Sequence, residues 1–250
     1  MSNRRNFIKK SALGSLGVSS ILSCDELNNV NIKKTYPRII STWNHGLDAN
    51  KKAWEVLKSG KGGLSAVEEG VKVSEADPKV RSVGLGGYPD RDGIVTLDAC
   101  IMDKNSNCGS VSFLQNIKHP ISVARHVMED TPHVMLSGKG ALEFAISKGF
   151  NQENLLTEES RKDWIKWKEN SDYKPIINIE NHDTISMLLI DETGDLYGAC
   201  TTSGASWKMH GRVGDSPIIG AGLFLDNEVG AAAGTRGGAG AHRDAGVLWM

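Results

Sequence analysis

A chain of 250 residues is long enough for one good core or at most two small domains, and one domain is expected. Hydrophobic residues at 39% and charged residues at 24% are ordinary globular values, and 29 basic against 30 acidic side chains leave a net charge of -1. That balance gives no electrostatic support to a nucleic acid or another polyanionic partner.

The N-terminal stretch Asn3-Arg4-Arg5-Asn6-Phe7-Ile8-Lys9-Lys10 stands before a mildly apolar segment, Ser11 to Leu22. This is the layout of a twin-arginine export signal, against the plainer alternative of a disordered basic terminus. The apolar segment is too short and too rich in Ser and Gly for a stable membrane span, which needs roughly 20 apolar residues. Ile21-Leu22-Ser23-Cys24 looks like a bacterial lipobox, in which Cys24 carries the lipid; an ordinary cleavage site beside an incidental cysteine is the alternative. Residues 1–24 are therefore expected to be a signal, and polar, aperiodic 25–37 a tether. The product is expected to be exported, to the periplasm or a membrane anchor of a bacterium.

Arg38 to Trp43 reads as the first core strand, and Asp48 to Leu57 as a helix stopped by Gly60-Lys61-Gly62-Gly63. Ser65 with Glu68 has the form of a capping box for a second helix that ends near Pro78. Both helices are expected to cover one side of a sheet. A hairpin is expected from Gly93 to Asp103 and Cys108 to Phe113, with its turn at Lys104 to Asn107. Helices are expected over Pro120 to Met128 and Ala141 to Lys148, with a short buried strand over Pro132 to Leu136 between them. Asn151 to Asn181 is charged and weakly periodic, which fits either an exposed loop or a surface helix around Trp164. Cys24, Cys100, Cys108 and Cys200 lack metal-knuckle spacing, and no disulfide is predicted; His45, His182 and His210 have no spacing that points to a metal.

Asn181-His182-Asp183-Thr184 stands directly before the apolar run Ile185 to Ile190. A Gly-bearing turn over Asp191 to Asp195 and a second strand, Leu196 to Thr202, complete a hairpin. The unbroken apolarity of the first strand predicts burial on both faces, so the polar cluster at its head would be held by a rigid sheet. A threonine hydroxyl is a poor nucleophile unless a base lies beside it, and the nearest possible base is the residue's own α-amine. That amine is free only at a chain start, and its ordinary pKa of about 7.7 to 8.0 lets it accept a proton near neutrality. Thr184 could thus act only after cleavage at Asp183–Thr184, a cut its own hydroxyl can make by attacking the Asp183 carbonyl, with the Asp183 carboxylate as proton acceptor. A turn or cap is the local alternative for the Asp-Thr pair.

Met209-His210-Gly211-Arg212-Val213-Gly214-Asp215-Ser216-Pro217 is a Gly-rich loop with opposite charges at Arg212 and Asp215. A guanidinium grips a substrate carboxylate through two bonds and a carboxylate takes an ammonium, so the pair suits an α-amino-acid end; a surface ion pair is the alternative. Gly234 to Gly240 lacks the Gly-Lys-Ser/Thr ending of a phosphate-binding loop.

The block Asn-His-Asp-Thr-Ile resembles the processing site of the glycosylasparaginases (aspartylglucosaminidases), threonine-type asparaginases of the N-terminal nucleophile hydrolases. The likeness runs through Ser41-Thr42-Trp43-Asn44, Gly84 to Asp90, Thr96-Leu97-Asp98-Ala99 and Met209 to Gly220, in the family's order. It implies a four-layer αββα sandwich, in keeping with the mixture of hairpins and helices. It implies an α-subunit part over 38–183 and a β-subunit part from Thr184 onward. Thr184 then corresponds to the nucleophile, Thr202 to its supporting threonine, Arg212 and Asp215 to the holders of the substrate's aspartyl end, and Trp43 to a pocket residue that would otherwise be read as core. No cofactor or metal is implied; an αβ pair after cleavage, possibly doubled to (αβ)2, is.

The chain departs from the family in two places. Ser186 stands where the family usually carries glycine. After Ala232 the pattern changes, so that 233–250 is expected to be divergent and the β-part incomplete. The family pattern Thr-Gly-x-Gly-Glu, whose threonine and first glycine supply oxyanion donors, is met by Thr235-Arg236-Gly237-Gly238-Ala239: Thr235 and Gly238 fit and Arg236 replaces the donor glycine. The expected activity is hydrolysis of N4-(β-N-acetylglucosaminyl)-L-asparagine to aspartate and glycosylamine. The alternatives are a plant-type L-asparaginase or isoaspartyl peptidase and a truncated, inactive relative serving as a non-enzymatic lipoprotein.

Overall fold

The computed structural model describes residues 36–170 and 184–234, and the backbone of a last strand at 246–249. The expected signal with Cys24, nearly all of the tether, Asp183, Thr235, Arg236 and Gly238 lie outside the described residues.

A six-stranded sheet forms the centre, in the order β1 (Arg38–Ser41), β5 (Ile185–Ile190), β6 (Leu196–Thr202), β2 (Leu97–Met102), β3 (Cys108–Leu114), β4 (Met135–Ser137). Every neighbouring pair is antiparallel except β3 with β4. The β5–β6 hairpin follows from its turn chemistry. Asp191 Oδ1 accepts the N–H groups of Thr193 and Asp195 and the Thr193 hydroxyl, closing the chain on itself between two apolar runs. All six residues of β5 are buried, as its continuous apolarity predicts.

Helices α1 (Gly46–Lys58), α2 (Gly63–Ala76), α3 (Pro120–Asp130) and α4 (Gly138–Ser147) contribute to one face. There Ala53, Val67, Val71, Ile121, Ala124 and Ala145 meet the alternate side chains Ile185, Met187 and Leu189 of β5, with Ala99, Ile101 and Ala199 beside them. The opposite set, Leu188, Ile190, Leu196, Cys200, Cys100 and Met102, packs on Leu223, Leu225, Ala231 and Ala233 of a second sheet. That sheet is β7 (Leu223–Asp226), β8 (Gly230–Ala233) and β9 (Gly246–Trp249), antiparallel throughout. The result is a mixed α/β layering of helices, sheet and sheet. No helix follows Thr184 among the described residues, so the fourth, helical layer of the expected αββα sandwich is not among them.

Three local expectations are corrected. The second helix starts at Gly63, and its entry is made by Gly62 at φ 83° rather than by a Ser65–Glu68 capping box. Glu68 is instead drawn to α3, where it accepts the Ser122 hydroxyl at 2.6 Å and Arg125 at 2.7 Å. The short strand before α4 begins at Met135 and runs along an exposed edge, with Met135 40% accessible, because β3 covers it on one side only. The second hairpin begins at Leu97 and not Gly93, since Asp90 Oδ1 holds the N–H groups of Asp92 and Ile94 in a turn. The charged segment after Asn151 contains a surface helix, α5 (Glu158–Asn170).

Candidate active site

Register places the chemistry. Pairing of Ile185 with Thr201 sets Thr184, the residue before β5, beside Thr202, and Thr202 in turn faces Asp98 of β2. Alternation puts all three on the face that meets the second sheet, since Leu188 and Ile190 point there. The apolar floor of that interface therefore ends in a polar row, Thr184–Thr202–Asp98, in which each residue is buried.

Thr184 is wholly buried and its hydroxyl lies 3.3 Å from the hydroxyl of Ser216. Its carbonyl accepts the Thr42 hydroxyl at 2.8 Å, and Thr42 Oγ1 also receives the Ser186 N–H at 3.1 Å. The Thr202 hydroxyl oxygen accepts the Gly204 N–H at 2.9 Å, which turns the chain at the C-terminal end of β6 into the loop carrying Arg212 and Asp215. Trp43, the neighbour of Thr42, is 47% exposed and adopts φ 63°. A bulky residue in the left-handed region is a genuine outlier, and such strain collects at functional sites. Phe113 at φ 52° and Trp207 at φ 60° share the trait.

Charge gathers on the same side. Arg212 lies against Gly204 and Gly214, so closely that a Cβ on Gly214 would sit 2.8 Å from its guanidinium. Lys208 is buried and donates to the carbonyls of Ser203 at 2.8 Å and Thr96 at 3.3 Å. Asp98 accepts the Phe113 N–H through Oδ1, while its Oδ2 and the Oδ2 of Asp215 are buried without a hydrogen-bond partner among the described residues. Burial pushes the Asp98 carboxyl above its ordinary range; Lys208 and Arg212 oppose that shift and Asp215 adds to it. Two cations and two carboxylates thus sense one another at the head of the sheet.

The structure brings Thr184, Thr202, Arg212, Asp215 and Trp43 to one end of the sheet, through strand register for the first two and loop closure for the others. Ser216, Thr42, Lys208 and Asp98 were not anticipated as site residues. Thr42, Asp98 and Ser216 lie inside the motif blocks quoted above, and their type alone gave no sign of their partners. Asp90, Asp92 and His210 also group closely enough to hold a cation, with His210 Nδ1 2.6 Å from Asp90 Oδ2. Asp90 is occupied by its own turn, so the geometry is that of a braced loop.

A family model described as asparaginase matches residues 32–242. A protein of Elizabethkingia miricola named N(4)-(beta-N-acetylglucosaminyl)-L-asparaginase is 61% identical over 236 residues, which cover 93% of this chain and 69% of that one. A mouse protein of the same name is 40% identical over 234 residues, covering 81% and 67%. A Drosophila melanogaster protein named as a putative member is 42% identical over 242 residues, covering 81% and 61%. The chain thus spans between 61% and 69% of the length of these curated relatives. With the strand register, the polar row and these likenesses together, the chain belongs to the asparaginase family.

Proposed function

We propose that this chain is an amidohydrolase that cleaves itself between Asp183 and Thr184 and then hydrolyses N4-(β-N-acetylglucosaminyl)-L-asparagine. The observation that carries the reading is the position of Thr184: a buried hydroxyl at the head of a strand enclosed on both faces, in one row with Thr202 and within 3.3 Å of the residue after Asp215. The names of the relatives supply the substrate.

In the self-cleavage, the Thr184 hydroxyl adds to the Asp183 carbonyl and the peptide C–N bond breaks, leaving an ester and a free amine on Thr184. Water then hydrolyses the ester. In turnover, Thr184 Oγ attacks the side-chain amide carbon of the substrate and its proton passes to the Thr184 amine. The amide C–N bond breaks, the proton goes to the departing glycosylamine, and water releases aspartate from the acyl-threonine. Arg212 takes the substrate α-carboxylate and Asp215 its ammonium. Thr202 supports the nucleophile, Thr235 and Gly238 act at the oxyanion and substrate, and Trp43 lines the entrance. We further read Arg4-Arg5 and Cys24 as an export signal and lipid anchor, and the cut product as an αβ pair.

Intact mass of the purified chain, with Thr184→Ala as control, tests the first step. Two fragments meeting at Asp183/Thr184 and absent from the control are expected, followed by aspartate release from glycosyl-asparagine faster than from asparagine or a β-aspartyl dipeptide. A single uncut chain overturns the proposal in favour of an inactive binding protein. Preference for the dipeptide overturns the substrate assignment.

A further inference from the structure

One step below the polar row, a second row crosses the same face of the sheet. Ser186 pairs with Cys200, Cys200 with Cys100, and Cys100 with Ser110, one residue from each of four strands. All four belong to the face that meets the second sheet, between the reactive row above and the apolar rows of Leu188 and Met102 below. An apolar interface would normally continue through such positions. Instead three of these small side chains bind backbone carbonyls of the segments that flank β7 and β8.

Three of the links are explicit. The Ser186 hydroxyl donates to the Gly234 carbonyl at 2.8 Å and lies 3.4 Å from Cys200 Sγ. The Cys100 thiol donates to the Ser216 carbonyl at 3.1 Å, and the Ser110 hydroxyl donates to the carbonyls of Pro217 and, at 3.1 Å, of Ala99. Burial keeps Cys100 a thiol, well above the ordinary cysteine range, so the donor is always present. The carbonyls so held are not scattered. Ser216 and Pro217 directly follow Asp215, and a Cβ on Gly234 would lie 3.5 Å from Asp215 Oδ2.

We propose that this second row is a positioning layer for the reaction: Ser186 sets the placement of Gly234 relative to Thr184, and Cys100 with Ser110 sets that of Asp215. The proposal rests on the function assigned to Thr184 above. Thr184 and Ser186 are alternate residues of one rigid backbone, about 7 Å apart, so a bond from Ser186 fixes a distance to the nucleophile. In a buried site each such bond is directional and its loss leaves a carbonyl unsatisfied. Glycine at 186 offers no hydroxyl, so the link to Gly234 is a device of a chain that carries serine there.

The test is steady-state kinetics on the full chain with glycosyl-asparagine, alongside far-ultraviolet circular dichroism. Ser186→Ala is expected to lower kcat about tenfold or more with KM within about twofold, and Ser186→Thr, which keeps the hydroxyl, to restore most of it. Ser110→Ala and Cys100→Ala are expected to raise KM several-fold, with Cys100→Ser close to the parent. Folded Ser186→Ala, Ser110→Ala and Cys100→Ala variants with unchanged parameters would overturn the layer while leaving the function of Thr184 intact. An equal loss in Ser186→Ala and Ser186→Thr would reduce it to packing. A parent chain that neither cuts itself nor turns over substrate would overturn both readings.

Discussion

The Thr42 hydroxyl donates to the Thr184 carbonyl at 2.8 Å and accepts the Ser186 N–H at 3.1 Å, so one side chain from the end of β1 grips the backbone on both sides of Ile185. Backbone pairing supports it, with the Thr42 N–H donating to the Ser186 carbonyl at 3.1 Å. Thr42→Val keeps the shape and removes both side-chain bonds. Self-cleavage monitored by mass over time is expected to slow about tenfold or more, and Thr42→Ser to stay near the parent rate. Equal rates for valine and threonine would mean that β5 alone holds Thr184.

Gly109 on β3 faces α3 at closest approach. A Cβ there would lie 2.1 Å from the Ala124 carbonyl oxygen and 2.7 Å from the Met128 backbone nitrogen. Backbone cannot step aside without moving the helix, so Gly109→Ala is expected to cost about 1–3 kcal/mol, read as a lower urea midpoint at unchanged m.

Helix α5 is fastened by aromatic stacking. Trp167 lies on Trp207 with centroids 5.4 Å apart and planes at 16°, and the Trp164 indole donates to the Arg91 carbonyl at 3.2 Å. Arg81 adds a 2.7 Å bond to Asp163. Trp207 immediately precedes Lys208 in the loop that leads to Arg212. Trp167→Ala is expected to speed hydrogen exchange in α5 and in 203–212, and to raise KM severalfold; exchange unchanged in the loop would separate the helix from the site.

Glu75 is enclosed by α2, α3 and β6. It accepts the Thr201 hydroxyl at 2.8 Å and the Ile121 N–H at 3.2 Å, and its Oε2 lies 3.0 Å from His119 Nδ1. Burial raises its carboxyl above the ordinary glutamate range, against the lowering effect of His119, Thr201 and Ile121. The native state therefore binds more protons than the unfolded chain above an ordinary pKa of about 4.3. Its contribution is full below that value and is lost as pH rises through the higher native pKa. Thermal scans across that window are expected to show the parent losing stability relative to Glu75→Gln as pH increases; a difference independent of pH would remove Glu75 from the linkage.

Much of this was legible because it is local. The β5–β6 hairpin could be read from Asp191 to Asp195, where a carboxylate and a glycine close the turn whatever lies around it. The face of Thr184 followed from period-two alternation once β5 was placed. The capping box misled because Ser65 and Glu68 carry that pattern equally well when Glu68 is taken by Arg125 from 57 residues away. Ser216 and Lys208 act through contacts that a long loop delivers, and no periodicity encodes those. Trp43 was expected at the pocket by likeness alone; its positive φ is a backbone property that side-chain type conceals.

The strand order has a consequence for any chain cut ahead of Thr184. Strands β5 and β6 come from after that point, yet they lie between β1 and β2, which come from before it. The two pieces are therefore interleaved like fingers of clasped hands, with hydrogen-bonded edges on both sides of the inserted pair. Folding has to come before scission, since neither piece can build the six-stranded sheet without the other. Once made, the cut would create two new chain ends without separating the halves, which would travel together until denatured.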